Sequence, residues 1–188
     1  MNIRFLNFHI SENVKINLLL IIILLNSIVL KAQYSESKVS HLLNNSLNSY
    51  EDNIKNIDLA ISIVNEEKDF YFLSNIYFQK AAYIYSKRKY NEALKFYILS
   101  NELSKKYKNE YIYYSSLYGI AVIQEQLNNN RKSISLLKEC SSFFEKEKSN
   151  ETYNLAYIST LGRLSYLYIN KNIDSSEYYN NLELKYSK

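Results

Sequence analysis

The helical pattern of this 188-residue chain recurs about every 40 residues. The phrase Ala93, Leu94, Tyr97, Ser100 is answered forty residues later by Ser133, Ile134, Leu137, Cys140. Forty residues earlier stand Asn53, Ile54, Ile57 and Ala60. A fixed period of about 20–50 residues marks stacked supersecondary units, none of which can bury its apolar face alone. That constraint leaves an all-α stack as the expected fold. Such stacks commonly bind other proteins and rarely carry out chemistry.

Composition agrees with the period. The chain has two Gly, no Pro and no Trp, but 20 Tyr. Sharp turns, sheet bulges and phosphate-cradling loops need residues that are nearly absent here. Long helices joined by short Asn/Lys/Ser turns fit; a Gly-rich β-sandwich or a dinucleotide-binding fold does not. The hydrophobic fraction, 47%, is enough for a core. The formal charge is +4. Without the three basic residues and one acid of the first 32, it falls to +2, which is no footprint for nucleic acid.

The amino terminus has its own pattern. Arg4 and Lys15 precede Leu18 to Leu30, a nearly all-aliphatic run, and Lys31-Ala32-Gln33 follows. A basic region, a short apolar core and a small residue describe a secretory signal peptide over residues 1–32. The run is roughly 20 Å long as a helix, short for a hydrocarbon core of about 30 Å. Leu30 occupies the −3 position where a small residue is preferred, so an uncleaved inner-membrane anchor over residues 18–30 stays open as the alternative. The chain is expected to be exported, periplasmic or secreted, with a single domain over Gln33–Lys188.

Along that domain the pattern divides into 33–69, 70–110, 111–150 and 151–188. In 33–69, Asp52 is expected to cap a helix carrying Ile54, Ile57, Ala60, Ile61 and Val64 inward. The next unit turns at Lys87-Arg88-Lys89, with Leu73, Phe78, Ala81, Ala82 and Tyr85 inward on one helix and Ala93, Leu94, Tyr97 and Ser100 on the other. The third turns at Asn128-Asn129-Asn130, with Leu117, Ile120, Ala121 and Gln124 facing Ile134, Leu137 and Cys140. The fourth turns at Lys171-Asn172; Asp174 is expected to cap its second helix, and Leu161, Leu164, Ser165, Tyr168, Tyr179 and Leu182 point inward. Small residues recur where paired helices would cross: Ala81, Ala82 and Ala93; Ala121 and Ser133; Ser165 with Ser175 or Ser176. They let backbones approach closely.

These units resemble the tetratricopeptide repeat. Phe78, Ala81-Ala82, Tyr85, Tyr90, Ala93 and Tyr97 match its pattern; Leu117, Ile120-Ala121, Leu127, Ser133 and Leu137 follow it; Leu161, Leu164-Ser165, Tyr168 and Tyr179 match with a one-residue slip. Residues 38–69 look like a degenerate first unit. The chain departs from the family in lacking its terminal Pro and its Trp, and in a period nearer 40 than 34. The resemblance implies a right-handed α-solenoid of antiparallel helix hairpins whose first helices line a concave groove. It also implies the groove residues: Gln79, Tyr83, Ser86, Tyr118, Val122, Glu125, Gly162 and Tyr166. Tyr offers contact area and a hydroxyl at low entropic cost, although Tyr83 and Tyr166 equally suit the seams between repeats. The layout is also similar to the exported sensor regions of Bacteroidetes signalling and transcription regulators. The chain stops at Lys188 with no polar capping helix, so self-association through the C-terminal repeat is a further expectation.

No site chemistry is legible. The two histidines, His9 and His41, form no dyad or metal set. No nucleophile-elbow, Walker or dinucleotide motif occurs. Glu92, Glu102, Glu125 and Glu139 lie among lysines and read as solvated or i,i+4-paired surface. Cys140, the sole cysteine, lies on an apolar stripe and reads as a buried small hydrophobe. The expectation is a non-enzymatic module that binds a protein or peptide, without cofactor or metal, without nucleic acid, and touching membrane only through an uncleaved amino-terminal segment.

Overall fold

The computed structural model describes residues 36–44, 49–169 and 171–187, and among them it contains helices and no strands. The apolar run of residues 18–30 and its cleavage site lie outside the described residues. Helix α1 spans 36–44 and is not part of the compact unit Leu47–Lys188. His41 is exposed on it. The compact unit holds α2 (Tyr50–Glu67), α3 (Phe70–Ser86), α4 (Tyr90–Lys106), α5 (Glu110–Gln126), α6 (Asn130–Glu147), α7 (Glu151–Tyr168) and α8 (Ile173–Tyr186).

The 40-residue period is two half-units of 20. Lys68, Arg88, Lys108 and Asn128 all adopt left-handed backbone, with φ of 59–60°. At each, the next residue's N–H returns to a carbonyl five residues back: Asp69 to Val64, Lys89 to Ile84, Asn109 to Ser104, Asn129 to Gln124. That closure satisfies the helix's last carbonyls and stops it. Gly is the usual residue there, and this chain uses Lys, Arg and Asn instead. The following residue starts the next helix. Asp69 and Asn109 accept from the backbone N–H of Phe72 and Ile112, at 3.0 and 3.4 Å. The register slips first at Lys148-Ser149-Asn150, where Lys148 stays right-handed and α7 begins one residue late, and again before α8, which begins 22 residues after α7.

Two expected caps move. Ser49, not Asp52, is the N-cap of α2; its Oγ accepts from the Asp52 N–H at 3.0 Å. Asn172, not Asp174, caps α8 and accepts from the Ser175 N–H at 2.9 Å. In both cases the acid sits in the first turn, where its charge still opposes the helix dipole.

Short turns fold each helix back on its predecessor, and neighbours pack consecutively from α2 to α8. Two further packings skip a helix: α3 lies on α5, and α5 on α7. One helix of each hairpin thus forms an inner layer, α3–α5–α7, and α4, α6 and α8 lie outside it. The result is an all-α, solenoid-like fold of helix hairpins.

Most of the small residues stand at the crossings, but Ala82 is only half-buried, and Ser176 rather than Ser175 meets Ser165. Ala81, Ala93, Ala121 and Ser133 are fully buried, and Ser165 and Ser176 exchange hydrogen bonds at 3.0 Å. A polar seam joins three helices: the Ser100 Oγ lies 2.7 Å from both the Ser74 carbonyl and the Ser116 Oγ. Cys140 is buried, its Sγ 3.5 Å from the Tyr114 carbonyl, and burial pushes its thiol pKa up. Lys80 is buried as well. Its ammonium pairs with Asp58 of α2 and lies 4.1 Å over the Phe96 ring.

Candidate functional site

The inner layer exposes a groove along its three helices. Three pockets follow it in order. The first, about 190 Å³, lies among Phe78, Tyr111, Ser115, Tyr118, Ala156 and Ser159, with Phe144 beneath. The second, about 180 Å³, shares Phe78, Ser115 and Tyr118 with the first and adds Tyr85, Tyr97, Gly119, Val122 and Arg163. The third, about 480 Å³, shares Arg163 with the second and is otherwise lined by Glu125, Gln126, Gly162, Tyr166 and Glu183. The first two are apolar and aromatic; the third is polar.

Local sequence explains each wall. Tyr97 comes from outer helix α4 and pushes its ring between α3 and α5. Gly119 makes the room: a Cβ there would lie 2.5 Å from two carbons of that ring. Burial pushes the Tyr97 phenol up to about 12. Gly162 does the same for α8, letting the Glu183 carboxylate rest on the bare backbone of α7.

Arg163 divides the second pocket from the third. Its Nη1 bonds both Glu125 carboxylate oxygens, at 3.2 and 3.3 Å. The Glu125 side chain is only 9% exposed and its partner is 38 residues away, so it is neither the solvated nor the i,i+4-paired surface carboxylate expected from sequence. Burial of Arg163 works against its charge, but Glu125 and Tyr118 more than offset this and hold its pKa above the ordinary value. Glu183, by contrast, has no basic side chain within ion-pair distance among the described residues.

The sequence-derived groove residues fall into three groups. Tyr118, Val122 and Glu125 line these pockets from α5. Gly162 and Tyr166 line the third from α7, and Tyr166 is 64% exposed. Gln79, Tyr83 and Ser86 line none of the three pockets: Gln79 and Ser86 each lie one residue past Phe78 and Tyr85, the α3 positions that line the first two, and Tyr83 lies two residues before Tyr85. Gln79 is exposed and donates to Asn75. Tyr83 stacks on Tyr50 of α2 at 5.7 Å, with Lys87 over its ring. The Ser86 hydroxyl turns back to the Tyr83 carbonyl. Sequence reasoning missed Arg163 and Glu183. A strict 40-residue step equates Phe78 with Tyr118, and the one-residue slip before α7 then equates Val122 with Arg163.

No group of three metal-ligating side chains occurs among the described residues. No helix among them is long and apolar enough to cross a membrane. No family model matches the chain, and no curated protein matches it. In structure it is similar to BtubC (BKLC) from P. vanneervenii, with a TM-score of 0.55 over 82% of this chain and 71% of that one, at 15% identity. The likeness is one of fold.

Proposed function

We propose that this chain is a non-enzymatic interaction module of the tetratricopeptide kind, exported from the cytoplasm, that holds an extended peptide segment of a partner protein. The observation that carries this reading is the row of three pockets along α3, α5 and α7, centred on the half-buried ring of Tyr118. Aromatic walls give contact area at low entropic cost, and the groove is pre-formed by rigid helices, which lowers the cost of binding. The solenoid-like fold it shares with BtubC fits a scaffold.

The test is crosslinking affinity capture from the cell envelope with the full chain as bait. A single specific partner, lost on Tyr118→Ala while the helical circular dichroism is unchanged, supports the proposal. Capture that is indifferent to Tyr118→Ala refutes it. The second reading is a sensor region of a membrane-anchored transcription regulator or histidine kinase. It is favoured by the aliphatic run Leu18–Leu30, if that run is retained as an anchor. Membrane fractionation decides between them, because a retained anchor keeps the chain in the carbonate-washed pellet.

A further inference from the structure

The groove's pockets differ in chemistry, and the difference specifies a ligand. From Ser115 to Glu125, α5 rises about 15 Å. The α5 residues that line the pockets run from Tyr111–Tyr118 through Ser115–Val122 to Glu125–Gln126, so successive pockets lie about one to two helical turns apart, roughly 5–10 Å. Side chains i and i+2 of an extended chain are separated by about 7 Å, within that range, and point the same way. A strand-like peptide lying along α5 therefore drops alternate side chains into successive pockets.

The first two pockets take apolar or aromatic groups, being walled by Phe78, Tyr118, Tyr85 and Val122. The third carries a surplus negative charge. Arg163 is already bonded by Glu125 through both oxygens, so that pair is neutral. The Glu183 carboxylate faces the same cavity without a basic partner among the described residues, and it sits there because Gly162 has no side chain to exclude it. An anionic ligand group would meet Glu183 and find Arg163 occupied. A cationic group would complete the charge.

Resting on the peptide-binding reading above, we infer that the partner is an extended segment with apolar or aromatic side chains at two alternate positions and Lys or Arg at the next alternate one. Glu183 is the specificity residue, and its partner is that Lys or Arg.

The test uses the full chain and capped peptides Phe-Ser-Phe-Ser-Arg, its Gln and Glu counterparts, and the same three in reversed order, measured by calorimetry or fluorescence anisotropy. In one of the two orders, the Arg peptide should bind about fivefold tighter than the Gln peptide, the scale of one partly exposed ion pair, and the Glu peptide more weakly still. Glu183→Gln should erase the Arg-over-Gln preference, and Tyr118→Ala should weaken all peptides. Equal affinity for Arg and Glu peptides, or an Arg preference that survives Glu183→Gln, overturns the inference; the groove itself stands if Tyr118→Ala still weakens binding. Absence of binding by any peptide, or binding unmoved by Tyr118→Ala, overturns both readings.

Discussion

Gly119 decides how closely α4 and α5 approach, and Gly119→Ala tests that contact. Helix propensity alone favours Ala by about 1 kcal/mol at a mid-helix position. Packing opposes it. The new Cβ would lie 2.5 Å from Cε1 and Cζ of Tyr97 and 2.8 Å from Cδ1, where carbon atoms prefer roughly 3.5–4 Å. The ring must therefore retreat by about 1 Å. It is 6% exposed and packs in one cluster with Ala81, Ile84, Ala93 and Ile123. Overpacking of this kind costs about 1–3 kcal/mol, and a rigid ring among buried neighbours belongs at the upper end. The net expectation is a loss of about 2 kcal/mol, or roughly 4–8 °C in Tm for a chain of this size. The open side of the ring is the groove pocket that Tyr97 helps to line, so any movement that relieves the clash also shrinks that pocket. Urea unfolding followed by circular dichroism measures the effect, and Tyr97→Leu supplies the control. With the ring removed, Gly119→Ala should become neutral or stabilising, a coupling of about 2–3 kcal/mol. If Gly119→Ala stabilises the unaltered chain, or costs the same in both backgrounds, the close approach of Tyr97 is not what constrains residue 119.

Other outcomes follow from the same packing. Ser133 is fully buried and its hydroxyl has no hydrogen-bond partner among the described residues, so Ser133→Ala should raise stability by about 1 kcal/mol in the same urea assay. Arg88 and Lys108 hold left-handed backbone that suits Gly; Arg88→Gly and Lys108→Gly should each add about 0.5–1 kcal/mol, read as an upward shift of Tm by scanning fluorimetry. Burial pushes the phenols of Tyr97 and Tyr157 up to about 12. The folded chain keeps them neutral where the unfolded chain ionises, so their contribution is intact below pH 10 and is lost as pH rises from about 10 to 12. Tyr97→Phe should lessen that alkaline loss between denaturation curves taken at pH 9 and pH 11.

The period was the most legible feature because every turn that sets it is local. Lys87-Arg88-Lys89 and Asn128-Asn129 turn where the sequence puts them, and Ala81, Ala93, Ala121 and Ser133 are buried as their spacing requires. The frame was harder. On α3, Phe78, Ala82 and Tyr85 look inward because they are apolar, yet all three are only half-buried, and Phe78 and Tyr85 form groove wall. The fully buried stripe is Leu73, Ile76, Ala81 and Ile84. An aromatic residue serves either face, so hydrophobicity alone does not separate them. Lys80 reads as surface from its type, and only its distant partners, Asp58 and Phe96, explain its burial. The Arg163–Glu125 pair spans 38 residues, and no local pattern announces it.

The most direct test of groove occupancy is site-specific photocrosslinking in the living cell. A benzophenone side chain placed at Ser159, which lines the groove, is compared with one at Ser142, exposed on outer helix α6. Groove binding predicts a discrete crosslinked partner from Ser159, none from Ser142, and its disappearance with Tyr118→Ala. Equal crosslinking from both positions, or a Ser159 adduct unchanged by Tyr118→Ala, would contradict a partner seated along α3, α5 and α7.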